Sequence, residues 1–130
     1  MKVLDSSFLM DYEDGLAETK EYLLDHSDEK FFVPAPIYAE FLLGGVYGEA
    51  SSPKRARQHL EWVEVYSASK ETADHATDIA NEIDAQGPHL SPIDSLVAGV
   101  SRELGAPLVT SDSDHTHPSY RKIIDVEEYR

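Results

Sequence analysis

Short apolar runs alternate with longer amphipathic stretches along this chain. Met1 to Leu4, apolar except for Lys2, reads as a short buried strand. Ser6 then caps a helix carrying Phe8, Leu9 and Tyr12, which Gly15 breaks. Leu16, Tyr22, Leu23 and Leu24 predict a second helix. Phe31-Phe32-Val33 predicts a second strand, and Pro34 and Pro36 start the helix after it, because proline is tolerated in a first turn. Gly44-Gly45 weakens or ends that helix. Ser51-Ser52-Pro53 opens another, reaching Glu61, and Val63 to Tyr66 is a third strand. Residues 69 to 86 read as helical through Ala73, Ala76, Ile79, Ala80 and Ile83, and stop at Gly87-Pro88. The clearest helix runs from Ser91 to Leu104. Ile93, Leu96, Val97, Val100 and Leu104 make its apolar face, and Gly105 supplies the stop. Leu108-Val109-Thr110 is a fourth strand and Ile123 to Val126 a fifth.

Strands alternating with helices predict an α/β sandwich with a largely parallel sheet. In such sheets a ligand sits beyond the carboxyl ends of the strands. Asp5 and Asp112 both lie just past strand ends, so parallel neighbours would bring them to one edge.

Two further acids stand in apolar contexts: Glu40 within Ile37-Tyr38-Ala39-Glu40-Phe41-Leu42-Leu43, and Asp94 at the start of the Ser91 helix. Asp114 follows Asp112 by two positions. A carboxylate in apolar surroundings is costly unless its charge is compensated. A shared Mg²⁺ or Mn²⁺, which prefers oxygen ligands, compensates several at once. Each acid also has a plainer reading. Asp94 is placed as the N3 member of a capping box begun by Ser91. Asp5 suits a helix N-terminus, Glu40 suits a solvated face, and Ser111-Asp112-Ser113-Asp114 suits a turn.

Composition narrows the classes. The 130 residues form one domain, with 25 Asp and Glu against 11 Lys and Arg and a net charge of −14. A halophile's solvated surface and an ordinary acidic protein both fit that balance. No basic stripe marks nucleic-acid binding. Lys54-Arg55-Ala56-Arg57 is a small basic group that reads first as a solvated helix face. No apolar run approaches the roughly 20 residues of a membrane span. Asp5 and Asp11 interrupt the N-terminal stretch, so it does not read as a signal peptide. Cysteine is absent, which excludes thiol chemistry and fits a cytoplasmic location. His115 and His117, flanking Thr116, read as a solvated loop. Trp62 and the seven tyrosines read as core or interface.

Taken together, the segments Val3 to Tyr12, Tyr38 to Gly44, Pro92 to Ala98 and Gly105 to Asp114 resemble the PIN domain. Within it they resemble the VapC-type toxin ribonucleases, over essentially the whole chain, 1–130. The resemblance implies a three-layer α/β/α sandwich. It implies a metal-dependent endoribonuclease, the toxin of a toxin–antitoxin pair, using Mg²⁺ or Mn²⁺. Asp5, Glu40, Asp94 and Asp112 would form its acidic quartet, with Asp114 as auxiliary or alternative fourth member. Asp5 and Asp94 would be direct ligands, and Ser6 and Thr110 would help position water or phosphate. The implied partners are an RNA substrate, a small antitoxin and a second copy of the chain. Phe8, Leu9, Tyr12, Phe41, Leu42 and Tyr47 are candidate antitoxin contacts, with core as the alternative. Where the family commonly has Phe after the last acid, this chain has His115.

Other readings are weighed by their motifs. A catalytically silent PIN-like module binding RNA or protein is the alternative within the fold, and the intact acid set argues against it. A phosphoacceptor receiver needs paired acids after its first strand and a late lysine, which are missing. A haloacid-dehalogenase-like phosphatase needs Asp-x-Asp, and Asp5-Ser6-Ser7 lacks it.

Overall fold

The computed structural model describes residues 1–48 and 52–130. Five strands, β1 (Lys2–Leu4), β2 (Phe31–Pro34), β3 (Glu64–Tyr66), β4 (Leu108–Thr110) and β5 (Val126–Glu128), form one sheet in the order β3-β2-β1-β4-β5. Every pairing is parallel. Val3, Leu4, Val33, Leu108 and Val109 are fully buried, because helices cover both faces of such a sheet and its inner strands have no wet side. The covering helices are α1 (Ser6–Glu13), α2 (Ala17–Asp25), α3 (Ala35–Tyr47), α4 (Pro53–Gln58), α5 (Lys70–Glu82), α6 (Pro92–Leu104) and α7 (Pro118–Arg121). α5 packs along α6, which lies on β1 and β2, while α1 packs on α2 and α3, and α3 on α4. The result is the α/β sandwich expected from the alternation, in the three layers that the resemblance implied.

The chain leaves β1 toward β2 and β3 on one side, and later returns through β4 to β5 on the other. The boundary between β1 and β4 is thus the point where strand order reverses. Side chains just beyond it share one crevice at the sheet's carboxyl edge. Leu4 pairs with Val109 there.

Several boundaries differ from those read from the pattern, each for a local reason. Asp5, not Ser6, caps α1. Its backbone is extended and its carboxylate accepts from the Phe8 N–H, leaving Ser6 as the first helical residue. α3 runs through Gly44-Gly45 to Tyr47; glycine in a helix interior costs only about 1 kcal/mol. α4 stops at Gln58, and Ser52 is its cap, while Ser51 lies outside the described residues. α5 ends at Glu82, where Ile83 turns to extended backbone. β5 begins at Val126 because Ile124 is instead committed to the core. The short α7, capped by His117, was not expected from the pattern. Gly105 does close α6, in the left-handed conformation at φ 62°. Among the described residues no helix is long and apolar enough to cross a membrane.

Candidate active site

Asp5 leaves β1 at the reversal point and is only 3% exposed. Its carboxylate is held on every side. Oδ1 accepts from the Ser7 hydroxyl at 2.6 Å and the Phe8 N–H at 3.3 Å. Oδ2 accepts from the Thr110 hydroxyl and from His115 Nδ1 at 3.2 Å. Those four donors match the roughly four lone-pair positions of an ionised carboxylate. Thr110 is the last residue of β4, so the bond to Asp5 ties the two strand ends. Ser7 does the same a step further out, since its oxygen accepts from the Ser111 N–H at 3.1 Å.

Asp94 reaches the same place from α6. Its N–H donates to Ser91 Oγ at 3.1 Å. The return half of a capping box is not formed. The carboxylate instead points toward the sheet edge, with Oδ1 3.9 Å from His115 Nε2. Asp112 follows β4; its N–H donates to Thr110 Oγ1 at 2.9 Å, and its charge bears on both His115 and Tyr120. Asp114 is exposed, held in a turn by its N–H on Asp112 Oδ1 at 2.8 Å. Glu40 is exposed on α3, where with Ser6 it lines a groove of about 530 Å³ between α1, α3 and α4. Asp5, Asp94 and Asp112 therefore gather around one buried ring, while Glu40 and Asp114 stand at the margin.

That ring is His115, and it corrects the solvated-loop expectation. It is 1% exposed and tilted against Tyr120 at 5.1 Å between ring centres. Burial alone would push its pKa down. The hydrogen bond to Asp5 and the charges of Asp5, Asp94 and Asp112 outweigh burial and hold it above the ordinary value. Burial, with the same three charges, pushes the Tyr120 hydroxyl far up. His115 folds inward because Tyr120 and Ile124, just downstream, are core residues. His117 is a helix cap and His89 is exposed away from these contacts.

Ser7 was missed because Asp5, not Ser6, takes the cap, which places the Ser7 hydroxyl on Asp5 and leaves Ser6 on the groove. Phe8 and Leu9 are fully buried, so they are core rather than contact residues. Tyr12, Phe41 and Leu42 are half-buried, and Tyr47 is 87% exposed.

The donor set suits a divalent cation. His115 Nε2 and the Tyr120 hydroxyl are the buried side-chain polar atoms without a partner among the described residues, and both lie on this acidic pocket. Among those residues, no three His, Asp or Glu side chains are already spaced to hold a metal. Sites for Mg²⁺-like ions commonly use one or two protein carboxylates, completed by water and substrate phosphate.

A family model described as PIN domain matches residues 2–119. No curated protein sequence matches the chain. Among solved structures, a toxin–antitoxin complex from Klebsiella pneumoniae superposes with a TM-score of 0.80 at 17% identity, covering 100% of this chain and 98% of that one. VapBC-1 from nontypeable Haemophilus influenzae gives 0.79 at 17% identity, covering 98% and 97%. VapC20 from Mycobacterium tuberculosis, described as a sarcin–ricin loop cleaving toxin, gives 0.66 at 17% identity, covering 88% and 92%.

Proposed function

The chain belongs to the PIN domain family, and we propose that within it this protein is a metal-dependent endoribonuclease, the VapC-type toxin of a toxin–antitoxin pair. The observation that carries this reading is the gathering of Asp5, Asp94 and Asp112 at the reversal point of the sheet, around a buried nitrogen with no partner. The solved toxins it superposes on support the assignment to toxin–antitoxin systems, and the description of VapC20 as a sarcin–ricin loop cleaving toxin supports RNA as the proposed substrate.

Asp5 and Asp94 were the expected direct ligands. Asp94 is kept, and Asp112 takes the place of Asp5, whose carboxylate already accepts four hydrogen bonds, as the proposed second oxygen ligand for Mg²⁺ or Mn²⁺. Asp5 supplies charge at the same pole, and Glu40 and Asp114 reach it through water. The cation, when bound, supplies Lewis-acid polarisation of the phosphodiester and activation of water. The chain's own groups do the rest. Thr110 and Ser7 fix Asp5, so the carboxylate cannot rotate away. Glu40 and Ser6, at the groove's edge, face incoming substrate and orient water toward the phosphate.

The net charge of −14 repels RNA at long range. Local features offset that repulsion. Lys54, Arg55 and Arg57 are exposed on α4, beside the groove that Ala56 and His59 help to line, and phosphate contacts of this kind position a backbone without reading sequence. The same groove, with Met10, Ile37 and Phe41 on its walls, is the proposed seat of a small antitoxin's apolar segment. Excess acid on this chain favours a basic partner through steering. By the same reading the toxin acts in the cytoplasm as a homodimer.

The test is cleavage of single-stranded or loop RNA by purified protein with Mg²⁺ or Mn²⁺. The reading expects metal-dependent scission that EDTA abolishes. Binding without scission in any divalent metal would support the silent module instead.

A further inference from the structure

We propose that His115 supplies a nitrogen ligand to the cation of this site, through Nε2 facing Asp94, and so selects a transition-metal ion such as Mn²⁺ over Mg²⁺. The inference rests on the metal-dependent reading above and refines which metal that site takes.

The ring's orientation is fixed by its other nitrogen. An ionised carboxylate only accepts, so Nδ1 carries the hydrogen donated to Asp5 Oδ2 at 3.2 Å. In the neutral ring Nε2 presents a lone pair; in the charged ring, which Asp5, Asp94 and Asp112 favour, it carries a proton that a metal ion displaces. A histidine that donates one N–H to a carboxylate while its other nitrogen faces a cation is the usual arrangement around bound metals, because the carboxylate sets both tautomer and ring direction. Tyr120 packs against the ring and stops it swinging out.

Nε2 is buried and has no partner. What it faces is Asp94 Oδ1, a second acceptor, 3.9 Å away. With the ring neutral, two lone pairs oppose each other across that distance; the proton of the charged ring or a metal ion in its place offsets them. Both atoms face the same gap, so His115 Nε2 and Asp94 Oδ1 would be the pair that holds the ion. The second orphaned atom, the Tyr120 hydroxyl, belongs to the ring tilted against His115.

Imidazole shifts metal preference. An all-oxygen site suits Mg²⁺, whereas a site with one nitrogen gains affinity along the first transition series. Asp5 becomes an orienting partner acting through His115. That accounts for a carboxylate already saturated by Ser7, Phe8, Thr110 and His115.

The experiment is calorimetric titration of metal-free wild-type, His115→Phe and His115→Gln protein with Mn²⁺ and, separately, Mg²⁺. Absorption spectra with Co²⁺ as probe accompany it, and near-UV circular dichroism verifies folding. Wild type is expected to bind Mn²⁺ at least about tenfold tighter than Mg²⁺, in keeping with a nitrogen ligand. Both variants lose most of that ratio while Mg²⁺ affinity changes little, and the Co²⁺ bands shift as the nitrogen leaves. A merely structural ring would weaken both metals alike and leave the Co²⁺ bands in place. Should Phe prevent folding, Gln, similar in length and lacking the ring nitrogen, gives the same readout. An unchanged Mn²⁺ to Mg²⁺ ratio, or tighter binding of both metals in the variants, overturns the inference. Neither result touches the nuclease reading, which falls only if the wild type cleaves no RNA in any metal.

Discussion

Replacing Thr110 by Val isolates the bond that ties β4 to Asp5. Thr110 is fully buried at the end of β4. Val has nearly the same shape and an equal or better strand preference, so packing is conserved and only the hydroxyl is lost. That hydroxyl donates to a buried carboxylate and accepts from the Asp112 N–H at 2.9 Å. A hydrogen bond to a charged group contributes about 1.5–3 kcal/mol. The bond from the Asp112 N–H is only part-buried, so its loss is expected to add little. The expected loss is therefore about 2–3 kcal/mol, or about 8–12 °C in Tm at about 4 °C per kcal/mol for a domain of this size. Thr110→Ser keeps the hydroxyl and removes one methyl, a loss of about 1 kcal/mol. Urea and thermal unfolding of both variants, and of Asp5→Asn with and without Thr110→Val, measure it. The pair should couple by more than about 1 kcal/mol. If Val is less harmful than Ser, or the two changes are additive, the Asp5 carboxylate is not held by Thr110.

Two further outcomes follow from the packing and charge. A Cβ on Gly99 would stand 2.6 Å from the Thr72 carbonyl oxygen of α5, so Gly99→Ala must push α5 and α6 apart. It should cost about 1–3 kcal/mol in chemical unfolding, and a variant as stable as wild type would refute that close approach. Glu127 joins β5 to β1 through Lys2 at 2.6 Å and to the Tyr22 hydroxyl. Burial raises its carboxyl, but these hydrogen bonds and the charges of Lys2 and His26 outweigh it and hold the value below the ordinary range. Because the folded value is the lower one, its contribution is complete above the unfolded pKa of about 4.3. It is lost as pH falls through the folded value. Glu127→Gln should flatten that part of the urea-midpoint profile below about pH 4; an identical slope would show that the carboxylate contributes nothing there.

The architecture was legible because the sequence keeps its two periodicities apart. Val3-Leu4 and Leu108-Val109 are buried on both sides and read as parallel strands, and the face from Ile93 to Leu104 is unambiguous. Strand ends then brought Asp5 and Asp112 to one edge of the sheet, while the bond from Thr110 to Asp5 was not visible in the sequence. What escaped notice depends on tertiary placement. Asp5 and Ser6 are equally good caps, and only the observed backbone decides between them and brings in Ser7. Ser111-Asp112-Ser113-Asp114 has the composition of a wet turn, yet Tyr120 and Ile124 draw the next residue, His115, inward. One signal was present: the resemblance puts Phe at that position, and a position that takes Phe is normally buried. Glu40 illustrates the reverse, an acid in an apolar segment that faces outward because the helix is apolar on its other sides.

Asp94 tests the central claim most directly, since it is both the first-turn acid of α6 and the carboxylate nearest the unpartnered nitrogen. Asp94→Asn preserves the side chain's size and the N–H bond to Ser91, and removes the charge. RNA cleavage by the two proteins is compared at matched Mn²⁺ and Mg²⁺, alongside thermal unfolding. The account predicts that scission disappears while Tm moves by no more than about 4 °C, the equivalent of about 1 kcal/mol. A stable Asp94→Asn protein that cleaves RNA as fast as wild type would contradict it.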